Sequence, residues 1–220
     1  MDIHTSIARY LRSDDAHEGL DPTGRYASFD YCYNYFQAFR EKALQRELAS
    51  PTYMQESCLQ IGFYLASWGM FRGRSFLLQK SYKYYEPLIH EIAHAPVEMW
   101  HVDVDNYTTE NIDLLLECDK IVNRGIGQGK TITNTLSTKV MLGVFGNIPA
   151  FDRYFRIGLG VHSLNRKALR MISTFYNANK AAIDTYKITT IDYHSGEKTR
   201  RHYPKAKIID MIGFVQGGKA

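Results

Sequence analysis

Between Lys120 and Lys180 the sequence carries a single carboxylate, Asp152, among eight other Lys and Arg residues. A lone acid in a basic, glycine-punctuated stretch does little for solubility, but it is a reasonable way to place one negative charge beside a phosphate-bound substrate. Two further patterns have the residue types of a reaction centre. His90-Glu91-Ile92-Ala93-His94 matches the H-E-x-x-H of zinc hydrolases, in which a helix presents two imidazoles on one face with a glutamate beside them as base. Gly125-Ile126-Gly127-Gln128-Gly129-Lys130-Thr131 has the glycines, lysine and hydroxyl of a phosphate-binding loop.

Neither pattern survives whole. Pro96 follows His94 by two residues, where zinc-binding helices continue, and His101 falls at no familiar third-ligand spacing. Chance occurrence in a polar helix is the preferred reading, and a metal hydrolase using His90, Glu91 and His94 remains the alternative. A Walker loop needs a glycine where Arg124 stands, and a buried strand where residues 108–123 have helical periodicity. Nucleotide hydrolysis is rejected on those grounds. What remains is a hairpin between two helices, in which Gly125, Gly127 and Gly129 free backbone N–H groups to face a phosphate at a helix N-terminus. Lys130 adds a cation there, and Thr131, Thr133 or Asn134 supply side-chain contacts. A plain helix-breaking turn explains the same glycines equally well.

Downstream, Leu136–Phe155 reads as a helix, a Gly146-Asn147 turn, Pro149, and then Asp152 at the start of the next helix. Taken alone, an aspartate there is an N-cap. Taken with the glycine hairpin and the intervening helix, the arrangement over residues 115–157 resembles the helix-hairpin-helix DNA glycosylases. That family grips DNA phosphates with a glycine hairpin and carries its essential aspartate in a proline-containing turn. Here only Gly125-x-Gly127 of the hairpin pattern is kept, and Pro149 stands three residues before the acid rather than two. Neither Lys130 nor Lys139 matches the lysine of the bifunctional members, which points to a monofunctional enzyme.

The resemblance implies that a nucleotide is extruded from DNA and that Asp152 stabilises the positive sugar formed as its base departs, with Lys139 or Tyr154 tuning the acid. Arg153, Arg156, Arg166, Lys167 and Arg170 are then expected on flanking phosphates. The loop with Trp68, Phe71, Arg72, Arg74 and Ser75 mixes stacking rings with hydrogen-bond donors and is the expected base pocket. A core tryptophan beside a surface turn is the competing reading. The tract Lys198–Lys205, with Arg200 and Arg201, is expected to lie along a nucleic-acid backbone.

The elements that must hold these residues are mostly helical. Apolar periodicity predicts helices at 4–12, from Ser28 to about 49, at 52–69, 76–94, 108–123, 131–145 and 163–182, with a short one after Asp152. A polar connection spans 14–24. A hairpin around Ser195-Gly196 pairs 186–193 with 198–203, and 204–215 is helical. The expected fold is mainly α: one domain over residues 1–220, with a helix-hairpin-helix-like element and a small C-terminal β-hairpin.

Charge is divided along the chain. Residues 1–120 hold 11 Lys and Arg against 18 Asp and Glu, and residues 121–220 hold 16 against 5. A basic C-terminal half with 16 Tyr in the chain favours DNA as partner, since rings stack on bases while cations hold phosphates. A solvated basic face is the plainer account. Three sparse cysteines, no apolar run long enough for a bilayer and no signal-peptide pattern predict a cytoplasmic protein that does not engage membranes. No cofactor is expected. Divergence from the glycosylase pattern leaves room for an unusual target, such as a modified base in foreign DNA, and hence for an antiviral role. A non-catalytic nucleic-acid-binding module is the second alternative.

Overall fold

The computed structural model describes residues 2–11 and 21–218. Nine α-helices are found among them: α1 (Ile3–Leu11), α2 (Ala27–Glu41), α3 (Met54–Ser67), α4 (Glu86–Ala93), α5 (Thr109–Gly127), α6 (Asn134–Val144), α7 (Arg153–Leu159), α8 (Arg166–Ile183) and α9 (Lys205–Gly217). Strands β1 (Thr189–Ile191) and β2 (Lys198–His202) form an antiparallel hairpin with an irregularity between Thr189 and Ile191. The protein is thus mainly α with one small C-terminal sheet. No helix among the described residues is long and apolar enough to cross a membrane. Most of the polar connection expected at 14–24 lies outside the described residues.

Helix α9 is the centre of the packing. Residues Ala206 to Gly213 are all buried, which is why this helix is apolar almost all round rather than on one stripe. Helix α7 packs tightly against it. The approach depends on small residues, because a Cβ on Gly158 would run into the carbonyl of Gly213, and one on Gly217 into the carbonyl of Tyr154. Asp103 closes the other side, accepting the N–H groups of Lys205 and Ala206 at 2.6 and 2.8 Å and so capping α9 from a distant loop. Burial pushes the Asp103 carboxyl up to about 7, against the pull of these N–H groups.

Three boundaries differ from expectation. Ser28 lies inside α2, its hydroxyl on the Arg25 carbonyl, and the helix ends at Glu41 because Ala43 turns left-handed (φ 56°). The stretch 76–94 is two 3₁₀ turns followed by α4, with Ser75 capping the first turn. Finally, α5 does not break at residue 123. It runs through Gly125 and Gly127, and the chain reverses only at Gln128 and Gly129 (φ 46° and 87°). Gly125 is needed inside the helix, since a Cβ there would overlap the Leu88 backbone on α4. That contact outweighs the ~1 kcal/mol cost of a helical glycine.

Candidate active site

The turn between α6 and α7 is clamped by side chains from both sides. Phe151 N–H donates to Thr138 Oγ1 (2.7 Å), and the Thr135 hydroxyl donates to the Phe151 carbonyl (2.9 Å), so α6 holds one edge. Ala150 N–H donates to Asp210 Oδ1 on α9 (3.0 Å). Tyr107 donates to the Asn147 carbonyl at 2.7 Å. With its peptide groups paired this way, a buried irregular segment is tolerated, and it delivers Asp152 in one position.

Asp152 has two roles. Its Oδ1 accepts the Phe155 N–H at 2.9 Å and caps α7, while Oδ2 lies 3.4 Å from Lys139 Nζ. That separation exceeds the ~2.7–2.9 Å of a tight ionic hydrogen bond. Lys139 therefore steadies the charge without closing off Oδ2. Its side chain is 4% exposed, and its ammonium stands 4.9 Å from the centre of the Trp68 ring. Trp68, the residue ending α3, has a buried indole N–H with no partner.

These groups line a cavity of about 190 Å³ together with Arg25, Met70, Arg72, Arg153, Tyr154 and Phe214. Drug-sized ligands occupy roughly 300–1,000 Å³, so this space suits one ring-sized group. Its lining combines the rings of Trp68, Tyr154 and Phe214 with one acid, one amine and three arginines. A second space of about 280 Å³ shares Arg25, Tyr154 and Phe214 with it.

Below the site lies a second buried ion pair. Lys207 donates to Asp210 Oδ2 (3.1 Å) and to the Tyr10 hydroxyl (2.9 Å), and stands 4.8–4.9 Å from the rings of Tyr10, Phe29 and Trp68. Burial drives the Lys207 amine down and the Asp210 carboxyl up, each opposed by the charge of the other. Nearby, Asp30 accepts from Tyr203 (2.6 Å) and the Ile191 N–H (2.8 Å), and burial lifts its carboxyl to about 7.

The residues expected from sequence are distributed unevenly. Asp152, Lys139, Tyr154, Arg153, Trp68 and Arg72 meet at one cavity. Phe71 instead packs on the core, and Arg74 is exposed outside the cavity wall. Gly125 and Gly127 belong to α5 and make no loop, which corrects the expected phosphate hairpin; Gly129, Lys130 and Thr131 are exposed at the turn. Arg156 donates to the His162 carbonyl and Arg166 pairs with Asp113. Arg166, Lys167 and Arg170 line a separate groove with Gly158 and Leu159. Arg200 is exposed, whereas Arg201 is taken up by Glu41 (2.7 Å) and Asn34. The expectation of both on a backbone therefore narrows to Arg200.

The alternative metal site is not assembled. Helix α4 ends at Ala93, His94 Nδ1 lies 2.8 Å from the His90 carbonyl, and Glu91 is held by Arg124 at 3.1 Å. No group of three potential ligands able to hold a metal occurs among the described residues. Sequence reasoning missed Arg25, Met70 and Phe214 in the wall, and Lys207 and Asp210 beneath it. The last two carried a readable signal, as opposite charges three apart inside an otherwise apolar helix.

No protein-family model, curated protein or solved structure matches this chain.

Proposed function

We propose that the protein is a monofunctional DNA glycosylase, hydrolysing the N-glycosidic bond of a base turned into the Asp152 cavity. The observation carrying this reading is the meeting of Asp152, Lys139 and Trp68 in one ring-sized space with Arg25, Arg72 and Arg153 in its wall. The rings of Trp68, Tyr154 and Phe214 in the lining suit a planar, polar heterocycle. The guanidinium groups suit phosphates on either side of the extruded nucleotide.

In the reaction the C1′–N bond breaks and its electron pair leaves with the base. The cationic sugar that forms is stabilised by the Asp152 carboxylate, fixed beforehand by its own helix and by Lys139. A water molecule then adds to C1′ and gives up its proton to Asp152 as general base; that proton passes on to the departed base anion, leaving neutral free base, an abasic sugar and the carboxylate restored. No metal or cofactor enters these steps. The three buried free cysteines accord with a reducing, cytoplasmic setting.

The deciding experiment incubates the protein with DNAs of ordinary and modified base content, then probes for abasic sites. Release by the parent protein and loss in Asp152→Asn, with DNA binding retained, is expected. Unchanged activity in that variant rejects the catalytic assignment, and salt-dependent binding without product on any DNA identifies a binding module instead.

A further inference from the structure

Helix α7 packs on α9, while α8 packs on the turn Val104–Asn106 and on α5. A groove of about 650 Å³ stays open between the end of α7 and the first half of α8. Lys167, Arg170, Met171 and Thr174 stand at i, i+3, i+4 and i+7, which puts them on one face of α8, and all four line the groove. Leu159, Met171 and Phe175 supply its apolar part, with Met171 39% exposed. From Lys167 to Phe175 the lining face is roughly 12 Å long, about two helical turns.

Charge at this groove is one-sided. No Asp or Glu occurs from Arg153 to Ile183. Arg166 is paired with Asp113 on α5, whereas Lys167 and Arg170 meet no acid among the described residues. Both are exposed. The lining thus supplies two free cations beside an apolar strip, and its complement is an apolar ridge flanked by carboxylates. Phosphates would use the cations and leave Leu159, Met171 and Phe175 idle, since nucleic-acid interfaces are polar and strongly cationic. Methionine, by contrast, adapts its unbranched side chain to an incoming apolar surface.

We propose that the groove between α7 and α8 docks an acidic amphipathic helix of a protein partner. The apolar stripe of that helix lies on Leu159, Met171 and Phe175, and its Asp or Glu residues pair with Lys167 and Arg170. Anchors at i, i+3 or i+4 and i+7 match the length available. The groove shares no lining residue with the Asp152 cavity, so the assignment goes beyond base release and does not rest on it.

The test titrates the full chain, by fluorescence anisotropy, against a labelled synthetic peptide with leucine at i, i+3, i+4 and i+7 and glutamate elsewhere. The same peptide with lysine in place of each glutamate is the control. Binding of the acidic peptide, weakened by salt and absent for the lysine peptide, is expected. Combining Lys167→Glu with Arg170→Glu is expected to weaken it about tenfold, as two attractions become repulsions, and Met171→Asp about as much. All three positions are exposed, so the variants keep the fold, which circular dichroism checks. The assignment is overturned if the two peptides bind alike, if neither binds, or if charge reversal leaves affinity unchanged. Loss on charge reversal with none in Met171→Asp reduces the groove to a basic face and overturns it too. A labelled DNA duplex is the last probe: if charge reversal weakens DNA binding while the acidic peptide does not bind, the cations hold phosphates instead of a protein.

Discussion

Asp210, on the buried helix α9, accepts the backbone N–H of Ala150 at 3.0 Å, two residues before Asp152, while its other oxygen holds Lys207 at 3.1 Å. The core of the protein and the position of its candidate catalytic acid are thereby coupled through one carboxylate.

Removing that carboxylate leaves a buried ammonium without its counter-charge and a buried peptide N–H unpaired. Asp210→Ala is expected to lower unfolding free energy by about 3–5 kcal/mol, the usual result of breaking a buried pair from one side. The double variant Lys207→Met, Asp210→Leu fills similar volume without charge and recovers much of that loss. It does not recover base release, because Ala150 is no longer tethered. Denaturant titration and abasic-site assays on both variants check this.

Asp152 is both helix cap and proposed acid, and one substitution separates the roles. Asparagine caps as well as aspartate, so Asp152→Asn keeps α7 but leaves Lys139 unpaired. Adding Lys139→Met removes the stranded charge and restores stability, while base release stays down on the order of 10²–10⁴-fold, as for loss of a general base. Full activity in either variant moves the chemistry to another residue.

Gly158→Ala forces a methyl group onto the Gly213 carbonyl where α7 crosses α9. Overpacking of a tight core costs about 1–3 kcal/mol, and a backbone contact that cannot give lies at or beyond the upper end. Thermal unfolding should show the loss. The same variant should release base more slowly than an equally destabilised change on α1, because α7 carries Asp152.

Asp30 gives the protein a pH dependence of definite sign. Its carboxyl is lifted to about 7 in the fold against 3.8 as the ordinary value. The folded state thus holds a proton that the unfolded chain has lost. Stability from this group is full below about pH 4 and declines as pH rises toward 7, with a limiting slope of about 1.4 kcal/mol per pH unit. Asp103 titrates in the same sense. Asp30→Asn should flatten part of the slope in unfolding free energy between pH 4 and 7, and an unchanged slope removes Asp30 as its source.

Helical periodicity determined most of the elements, since a stripe of apolar residues can be read without knowing what covers it. The positions of α1, α3, α6 and the final hairpin follow from such stripes and from Gly, Pro and Ser at their ends. Asp152 stood out through charge alone, and Trp68 and Arg72 through their mixed loop. Only the folded chain decided what the glycines do. Gly125 looked like a turn because its rarity in helices is a local rule, yet it stays helical because α4 lies against it, a contact 37 residues away in sequence. Arg201 looked like part of a basic tract, but Glu41 and Asn34 on α2 take its charge. Close approach and charge pairing between distant segments leave no periodic trace, so the sequence names the residues with reactive groups and tertiary packing selects which of them share a cavity.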